Sequence, residues 1–167
     1  MKQSRHQARI VALQGLYELD MQRDLKPEEI PAMMTPLLAE AGLQGEAADY
    51  ARQLVAGAWP NHERYDQMIA GASDHWDVGR MAVVDRNILR LGLYELIEKP
   101  DVPARVVIDE AIELGRAFGA AETPQFINGV LDAIWKRDPA CQAARAAREA
   151  LVHPTAAVKN ESNHGTV

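Results

Sequence analysis

The sequence predicts an all-α fold, and three observations support this prediction. Apolar residues recur at spacings of three and four along most of the chain, which is typical of helices and not of strands. Glycine and proline lie mainly between the segments that have this spacing. The chain has 167 residues, of which 47% are hydrophobic and 25% are charged, as in an ordinary globular protein. This length suits one domain, or two small domains that share an interface.

The first half of the chain is predicted to contain a series of helices. Ser4 can cap a first helix, whose apolar residues have helical spacing and which is expected to end near Asp24. A second helix is predicted over residues 27–42, because proline suits the first turn of a helix and glycine its end. A third segment covers residues 46–59. Pro60 would cost a helix interior roughly 3 kcal/mol, so we expect a break there.

The second half begins with a segment that is apolar on nearly all sides. This segment runs from residue 80 to residue 97, has Asp85 near its start and predicts a central, buried helix. An amphipathic helix is predicted over residues 103–119, with proline at its start and glycine at its end. A last core helix is predicted over residues 123–135, where Thr and Pro are suited to the N-cap and first helical position.

Two internal echoes divide the chain into related halves. The sequence of Gly15–Leu19 recurs as Gly92–Leu96, an offset of 77 residues that also places Arg9 on Arg86. Leu54-Val55-Ala56-Gly57 and Phe126-Ile127-Asn128-Gly129 form a second, looser pair at an offset of 72 residues. Two echoes in the same order predict two related three-helix halves.

The echoes also suggest domain boundaries. We predict an N-terminal helical subdomain over residues 1–78, a C-terminal helical subdomain over residues 79–138, and a weakly structured extension over residues 139–167. Within the extension, the alanine- and arginine-rich residues 140–152 are compatible with a helix whose apolar face is weak. The composition from His153 onward is typical of a disordered tail.

Several classes of function find no support in the sequence. It contains neither a glycine-rich phosphate loop nor a Gly-x-Ser-x-Gly turn, so we do not expect an enzyme that uses a nucleotide. Cys141 is a single cysteine and cannot form an internal disulfide. His62 and Asp66 are one helical turn apart but lack a third ligand at a predictable position, so no metal site is predicted. The chain shows no signal peptide or membrane segment, and we expect it in the cytoplasm.

Positive charge is concentrated at the start of the chain, although the net charge is −6. Lys2 and His6 are one helical turn apart, as are Arg5 and Arg9, so the four side chains can form a ridge that follows a phosphate backbone. The alternative interpretation is a solvated N-terminus. Because the whole chain is acidic, any binding of nucleic acid must be local.

Two aromatic residues are candidates for stacking on unpaired bases. Tyr17 lies on the same predicted helix as the basic ridge, and Phe126 lies at the start of the last core helix. An exposed aromatic ring beside cations is typical of a site for single-stranded RNA. The alternative is that each ring belongs to the hydrophobic core.

Several segments together resemble the NusB family of bacterial transcription antitermination factors. The resemblance extends over residues 5 to about 136 and is strongest in the second half. The motifs that carry it are Asp85-Arg86-Asn87-Ile88-Leu89-Arg90-Leu91-Gly92-Leu93-Tyr94-Glu95-Leu96, Val102-Pro103, Val107-Ile108-Asp109-Glu110-Ala111-Ile112-Glu113-Leu114, Phe118-Gly119 and Phe126-Ile127-Asn128-Gly129-Val130-Leu131-Asp132, with Ala8-Arg9 and Leu16-Tyr17 near the start.

The resemblance implies an all-helical fold of two packed three-helix bundles and a function without catalysis. Proteins of this family bind the boxA element of nascent RNA together with NusE, a ribosomal protein of the small subunit. They thereby help RNA polymerase to read through terminators, notably in ribosomal RNA operons. By position, Arg5, His6 and Arg9 match the basic start of the family's sequences. Tyr17 and Phe126 match aromatic positions near the RNA surface of the family.

The resemblance also implies a role for Asp85, which matches an acidic position expected to lie toward NusE. The alternative for Asp85 is helix capping. Two other functions stay open at this stage. One is a protein-interaction module, such as a homodimer, whose N-terminal helix is covered by its partner. The other is the helical domain of an RNA-modifying enzyme, although the chain contains no cofactor-binding βαβ unit.

Overall fold

The computed structural model describes residues 2–72 and 77–154, and the regular structure within these ranges is helical. This confirms the predicted all-α fold. Three short 3-10 turns also occur, at Pro27–Glu29, Trp59–Asn61 and Val78–Arg80. The α-helices are α1 (Lys2–Met21), α2 (Ile30–Glu40), α3 (Gly45–Ala58), α4 (His62–Ala72), α5 (Val83–Glu98), α6 (Ala104–Phe118), α7 (Thr123–Arg137) and α8 (Pro139–Val152).

Helix α5 is the central element of the protein, as its sequence predicted. It packs against α1, α3 and α4 on one side of the molecule and against α6, α7 and α8 on the other. Five of its apolar side chains are almost completely buried, namely Ile88, Leu89, Leu91, Leu93 and Leu96. The apolar surface removed from water along α5 therefore joins the two halves of the chain into one core.

Equivalent glycines explain the first internal echo. A Cβ atom added at Gly15 on α1 would lie 2.6 Å from Met34 Sδ on α2. A Cβ atom added at Gly92 on α5 would lie 3.1 Å from Leu131 on α7. In each half, the absence of a side chain lets a neighbouring helix approach closely, and α1–α3 and α5–α7 form the two predicted three-helix bundles.

Two buried ion pairs fix how α1 crosses α5. Arg9, near the start of α1, pairs with Glu95, near the end of α5, through an Nε–Oε1 distance of 2.7 Å. Arg86, near the start of α5, pairs with Asp20, near the end of α1, through an Nε–Oδ2 distance of 2.6 Å. The two helices are therefore antiparallel, and the arginines that the 77-residue offset relates occupy corresponding ends of the crossing.

The Asp20 carboxylate also joins α1 to two further side chains of α5. Arg90 Nη1 lies 2.9 Å from Asp20 Oδ2, and Asn87 donates to the same oxygen. Burial tends to raise the pKa of Asp20, but the Arg86 hydrogen bond, the charge of Arg90 and the Asn87 hydrogen bond hold it below its ordinary value. Asp20 is therefore ionised within the core.

Helix α4 connects the two halves. The predicted break at Pro60 is confirmed, because the turn Trp59–Asn61 separates α3 from α4. Helix α4 then packs on α5 and α7, which belong to the second half. Residues 73–76, within the predicted domain boundary, lie outside the described residues, and the division into subdomains 1–78 and 79–138 stays a prediction.

The predicted extension begins with a helix, α8, that packs on α5 and α7. Its apolar face is narrow but buried, since Cys141 and Ala144 lie in the protein interior. The Asp138 carboxylate caps the helix by accepting a hydrogen bond from the Ala140 amide. Residues 155–167, for which a disordered tail was predicted, lie outside the described residues.

No described helix has both the length and the apolar character that crossing a membrane requires.

The two glycines of the second echo, Gly57 and Gly129, provide a matched test of packing. A Cβ atom at Gly57 would lie 2.3 Å from the Tyr94 ring, whereas a Cβ atom at Gly129 would meet nothing within 4 Å. We expect Gly57→Ala to lower the free energy of unfolding by about 1 kcal/mol, because overpacking outweighs the gain in helix propensity. Gly129→Ala should raise it by up to about 1 kcal/mol. Urea unfolding followed by circular dichroism measures both, and equal effects would contradict this packing.

Candidate nucleic-acid interface

The first turns of α1 contain the predicted basic residues, but these residues do not form one exposed ridge. The Arg5 side chain is 46% exposed, whereas that of Arg9 is only 3% exposed. The antiparallel crossing turns Arg9 toward the end of α5 and leaves Arg5 at the surface. Lys2 begins α1, and its side chain lies outside the described residues.

The prediction of an exposed Arg9 is wrong. Its guanidinium donates to both carboxylate oxygens of Glu95, and the Tyr50 hydroxyl donates to Glu95 Oε2 at 2.8 Å. Burial by itself lowers the pKa of Arg9, but the hydrogen bond and charge of Glu95 outweigh burial and hold the pKa above its ordinary value. Arg9 thus joins α1 to α5 inside the protein, where it is not accessible to a phosphate.

The other two described basic residues of the start of α1, Arg5 and His6, each lie beside an acidic side chain. Arg5 Nη2 lies 3.7 Å from Asp101 Oδ2, and the Arg5 guanidinium lies over the Tyr50 ring, with Cζ 4.8 Å from the ring centroid. His6 Nδ1 lies 2.6 Å from Glu110 Oε2. Arg5 and His6 can therefore reach a ligand only in competition with a neighbouring carboxylate.

Tyr17 lies in a mostly apolar groove along α1. The groove has a volume of about 540 Å³, and its lining includes residues from Gln7 to Glu18 of α1. Tyr17 is 42% exposed, and Phe118, from the end of α6, is 45% exposed in the same groove. Two aromatic side chains with open surface in one groove can stack on planar groups such as bases.

Phe118 was not among the predicted site residues. Its spacing from Val107, Ala111 and Leu114 puts it on the apolar face of α6, and those three residues are buried. Helix α6 ends at Phe118, and the chain then turns at Gly119. The Phe118 side chain is the last one on the apolar face of α6, and the neighbouring helices do not cover it. The nearby glycine is the signal that could have shown this.

Phe126 lies in a different opening, together with Asp85. This cleft has a volume of about 470 Å³ and also includes Met81, Ala82 and Thr123. Phe126 is partly buried and packs against the hydrophobic core. The start of α5 contributes to both openings, with Val84 in the groove of Tyr17 and Asp85 in this cleft.

Asp85 lies in the first turn of α5, where the helix dipole favours a negative charge. Asp85 Oδ1 accepts a hydrogen bond from Thr123 Oγ1 at 3.1 Å, and Thr123 Oγ1 accepts one from the Ala120 amide. Burial raises the pKa of Asp85, and the Thr123 hydrogen bond opposes that rise. Asp85 therefore joins α5 to the start of α7 and also faces the cleft.

His62 and Asp66, the residues closest to a metal motif in the sequence, both have structural contacts. His62 Nδ1 lies 2.6 Å from the Trp59 carbonyl oxygen, and its ring stacks on the Trp59 ring. Asp66 forms an ion pair with Arg90 at 2.6 Å. Within residues 2–72 and 77–154, no group of three or more histidine, cysteine or acidic side chains could hold a metal ion.

A comparison with protein families gives one match, the NusB family, over residues 6–136. The chain belongs to the NusB family. The match includes the crossing of α1 and α5, the groove of Tyr17 and the cleft of Asp85 and Phe126. Helix α8 begins after the last matched residue, and Lys2 and Arg5 precede the first.

Relatives with the name transcription antitermination protein NusB match most of the chain. The Symbiobacterium thermophilum protein is 39% identical over 135 residues, which cover 78% of this chain and 88% of the relative. The Myxococcus xanthus protein is 38% identical over 131 residues, which cover 78% of this chain and 94% of the relative.

Solved structures of the NusB family have the same fold. T. maritima NusB superimposes with a TM-score of 0.74 at 33% identity, covering 85% of this chain and 96% of that one. NusB in a crystal structure with NusE and double-stranded RNA gives a TM-score of 0.70 at 31% identity, covering 81% of this chain and 98% of that one.

The structure predicts different effects for the two arginines of α1. Arg9→Met leaves the buried Glu95 without its cation, so we expect the free energy of unfolding to fall by about 3–5 kcal/mol. Arg5→Ala should change it by less than about 1 kcal/mol, because the Arg5 ion pair is exposed. Urea unfolding measures both.

The double variant Arg9→Met/Glu95→Gln is the control for Arg9→Met. It removes the charge that Arg9→Met leaves unpaired and still offers the Tyr50 hydroxyl an acceptor, so it should recover part of the lost stability. If Arg9→Met were as stable as Arg5→Ala, the buried pair would not have the structural role assigned to it.

Proposed function

We propose that this protein is a cytoplasmic transcription antitermination factor that binds boxA-type single-stranded RNA together with the ribosomal protein NusE. As part of an RNA polymerase antitermination complex, it would support processive transcription of ribosomal RNA operons. The observation that carries the proposal is the family match over residues 6–136. The names of the relatives, and the structure of NusB with NusE and double-stranded RNA, support it.

The RNA surface that we propose follows α1. Arg5 and His6, with Lys2 at the start of the helix, would contact phosphates. Tyr17 and Phe118 would stack on unpaired bases in the groove, where each stacked base contributes roughly 1–3 kcal/mol. Arg9 would act indirectly, because its pair with Glu95 fixes α1 against α5. Few cations are available, so binding by the protein alone should be feeble and sensitive to salt.

The cleft of Asp85 and Phe126 is the proposed meeting point of RNA and partner. Asp85 would face NusE, and Phe126 would contact RNA at the boundary with the groove of Tyr17. A net charge of −6 favours a basic ribosomal protein as the partner. Joining two weak RNA surfaces in one complex raises the apparent affinity without new contacts.

One observation favours a second candidate function, a homodimer whose RNA surface is masked. Tyr17, Met21 and Phe118 are large apolar side chains that are 42%, 60% and 45% exposed, and a second copy could cover them. Light scattering with and without RNA separates the two functions, because a masked RNA surface requires that RNA lower the fraction of dimer.

For either function we expect no turnover, including none in a methyltransferase assay with ribosomal RNA.

Fluorescence anisotropy of a labelled boxA-like RNA tests the proposed function. We expect weak binding by this protein alone or by NusE alone, and tight binding by both together. Tyr17→Ala and Phe118→Ala should each weaken the joint complex by about tenfold, because each removes a stacking surface. Phe126→Ala should weaken it too, provided that the variant is folded.

Met21→Ala is the matched control, because Met21 is an exposed apolar residue of α1 that lies outside the groove of Tyr17. It should leave the affinity unchanged. A scrambled RNA and an RNA duplex complete the comparison. If the protein with NusE bound the scrambled RNA as well as the boxA-like RNA, the proposed function would be wrong.

A further inference from the structure

Helix α8 lies beyond the residues that match the family model and is firmly attached to the rest of the protein. Cys141 and Ala144 are buried against the core. The guanidinium groups of Arg145 and Arg148 both lie over the Trp135 ring of α7, with Cζ 5.1 Å from its centroid. These contacts hold the basic residues of α8 at defined places.

Arg148 binds the end of α5 and the turn that follows it. Its Nη1 donates to the Leu96 carbonyl at 2.6 Å, and its Nη2 donates to the carbonyls of Glu95 at 3.2 Å and Lys99 at 3.1 Å. Its Nε donates to the Val102 carbonyl at 3.0 Å. The last carbonyls of a helix lack partners within the helix, and a cation is favourable there. One side chain of α8 thus fixes the turn over residues 99–103.

This turn brings two charged side chains to the start of α1. Asp101 Oδ2 lies 3.7 Å from Arg5 Nη2. Lys99 Nζ donates to Gln53 Oε1 at 2.9 Å and lies 5.8 Å from the centroid of the Tyr50 ring, the same ring that Arg5 covers. The turn that Arg148 holds is therefore in direct contact with the most exposed cation described in α1.

Among the described residues, acids outnumber cations in the cleft around Arg5. The cleft has a volume of about 410 Å³, and its described charged lining residues are Arg5, Lys99, Glu46, Asp49 and Asp101, two cations and three acids. A net negative charge opposes the approach of a phosphate. Of these three acids, Asp101 is the one paired with Arg5. It therefore has the largest influence on whether the Arg5 guanidinium can bind a phosphate.

We propose that α8 restrains RNA binding through this turn. Arg148 holds residues 99–103 so that the Asp101 carboxylate pairs with the Arg5 guanidinium. The carboxylate then competes with an RNA phosphate for this guanidinium. Arg148 is then a positioning residue that acts through Asp101. The inference rests on the proposed function, in which Arg5 contacts RNA, and it assigns to α8 a regulatory role within the same site.

The test measures the affinity of the complex with NusE for boxA-like RNA at roughly 50 mM salt, where phosphate contacts contribute most. Asp101→Asn and Arg148→Met should each raise the affinity about threefold, the size expected for an exposed ion pair. Arg145→Met is the matched control: Arg145 also lies on Trp135 but bonds the Trp135 carbonyl, not the turn, so the affinity should be unchanged.

Combined variants test whether Arg148 acts on RNA binding through Asp101 and Arg5. In the Asp101→Asn background, Arg148→Met should give no further gain, because the competitor has been removed already. In the Arg5→Ala background, neither substitution should raise the affinity. Gains that persisted without Arg5, or an Asp101→Asn variant that bound no more tightly than wild type, would overturn the proposal.

Hydrogen exchange of the free protein provides a readout without RNA. Arg148→Met should speed the exchange of the Lys99 and Val102 amides, which donate to the Glu95 and Lys99 carbonyls, whereas Arg145→Met should not. If Arg148→Met failed to fold, the surface variant Asp101→Asn would still decide the question. Absence of RNA binding by wild type with NusE would refute the proposed function and this proposal together. Binding by wild type without a gain in Asp101→Asn would refute this proposal alone.

Discussion

The antiparallel crossing of α1 and α5 is the constraint on which the other features of this protein depend. Buried ions are costly unless they are paired, and both arginines find carboxylates only in one register of the two helices. In that register Arg9 meets Glu95, and Arg86 meets Asp20. The same register leaves Arg5 exposed and places Tyr17 in a groove beside the end of α6. The position of the proposed RNA surface on α1 is thus set by contacts that lie inside the core.

Local sequence patterns predicted the helices well, because apolar spacing, proline and glycine act over a few residues. The central position of α5 followed from its apolar character on nearly all sides, and the echoes predicted two related three-helix halves. The burial of Arg9 could not be found in this way, since its partner Glu95 lies 86 residues away in the chain. The exposure of Phe118 depends likewise on how α6 ends relative to α1. Spacing predicts which residues share a helix face, but the face that becomes buried depends on contacts between distant segments.

The charges near the start of α1 give a physical reason for an adaptor that works with a partner. Arg5, His6 and Arg9 are matched by Asp101, Glu110 and Glu95, respectively. Each acid comes from the second half of the chain, so the basic start of the sequence is largely neutralised once the halves pack together. A second protein can then supply the cations and the contact area that this surface lacks, and specificity can come from the two surfaces acting jointly.

The contacts of Arg148 also affect how the chain matures on the ribosome. Arg148 follows Lys99 by 49 residues and Glu95 by 53 residues, and its hydrogen bonds complete the end of α5. Domains generally fold from the N-terminus onward during synthesis. Here the bundle of α1–α3 can pack early, whereas the end of the central helix gains its final bonds only after α8 has emerged. The protein therefore attains its finished form only once the ribosome has translated and released this helix.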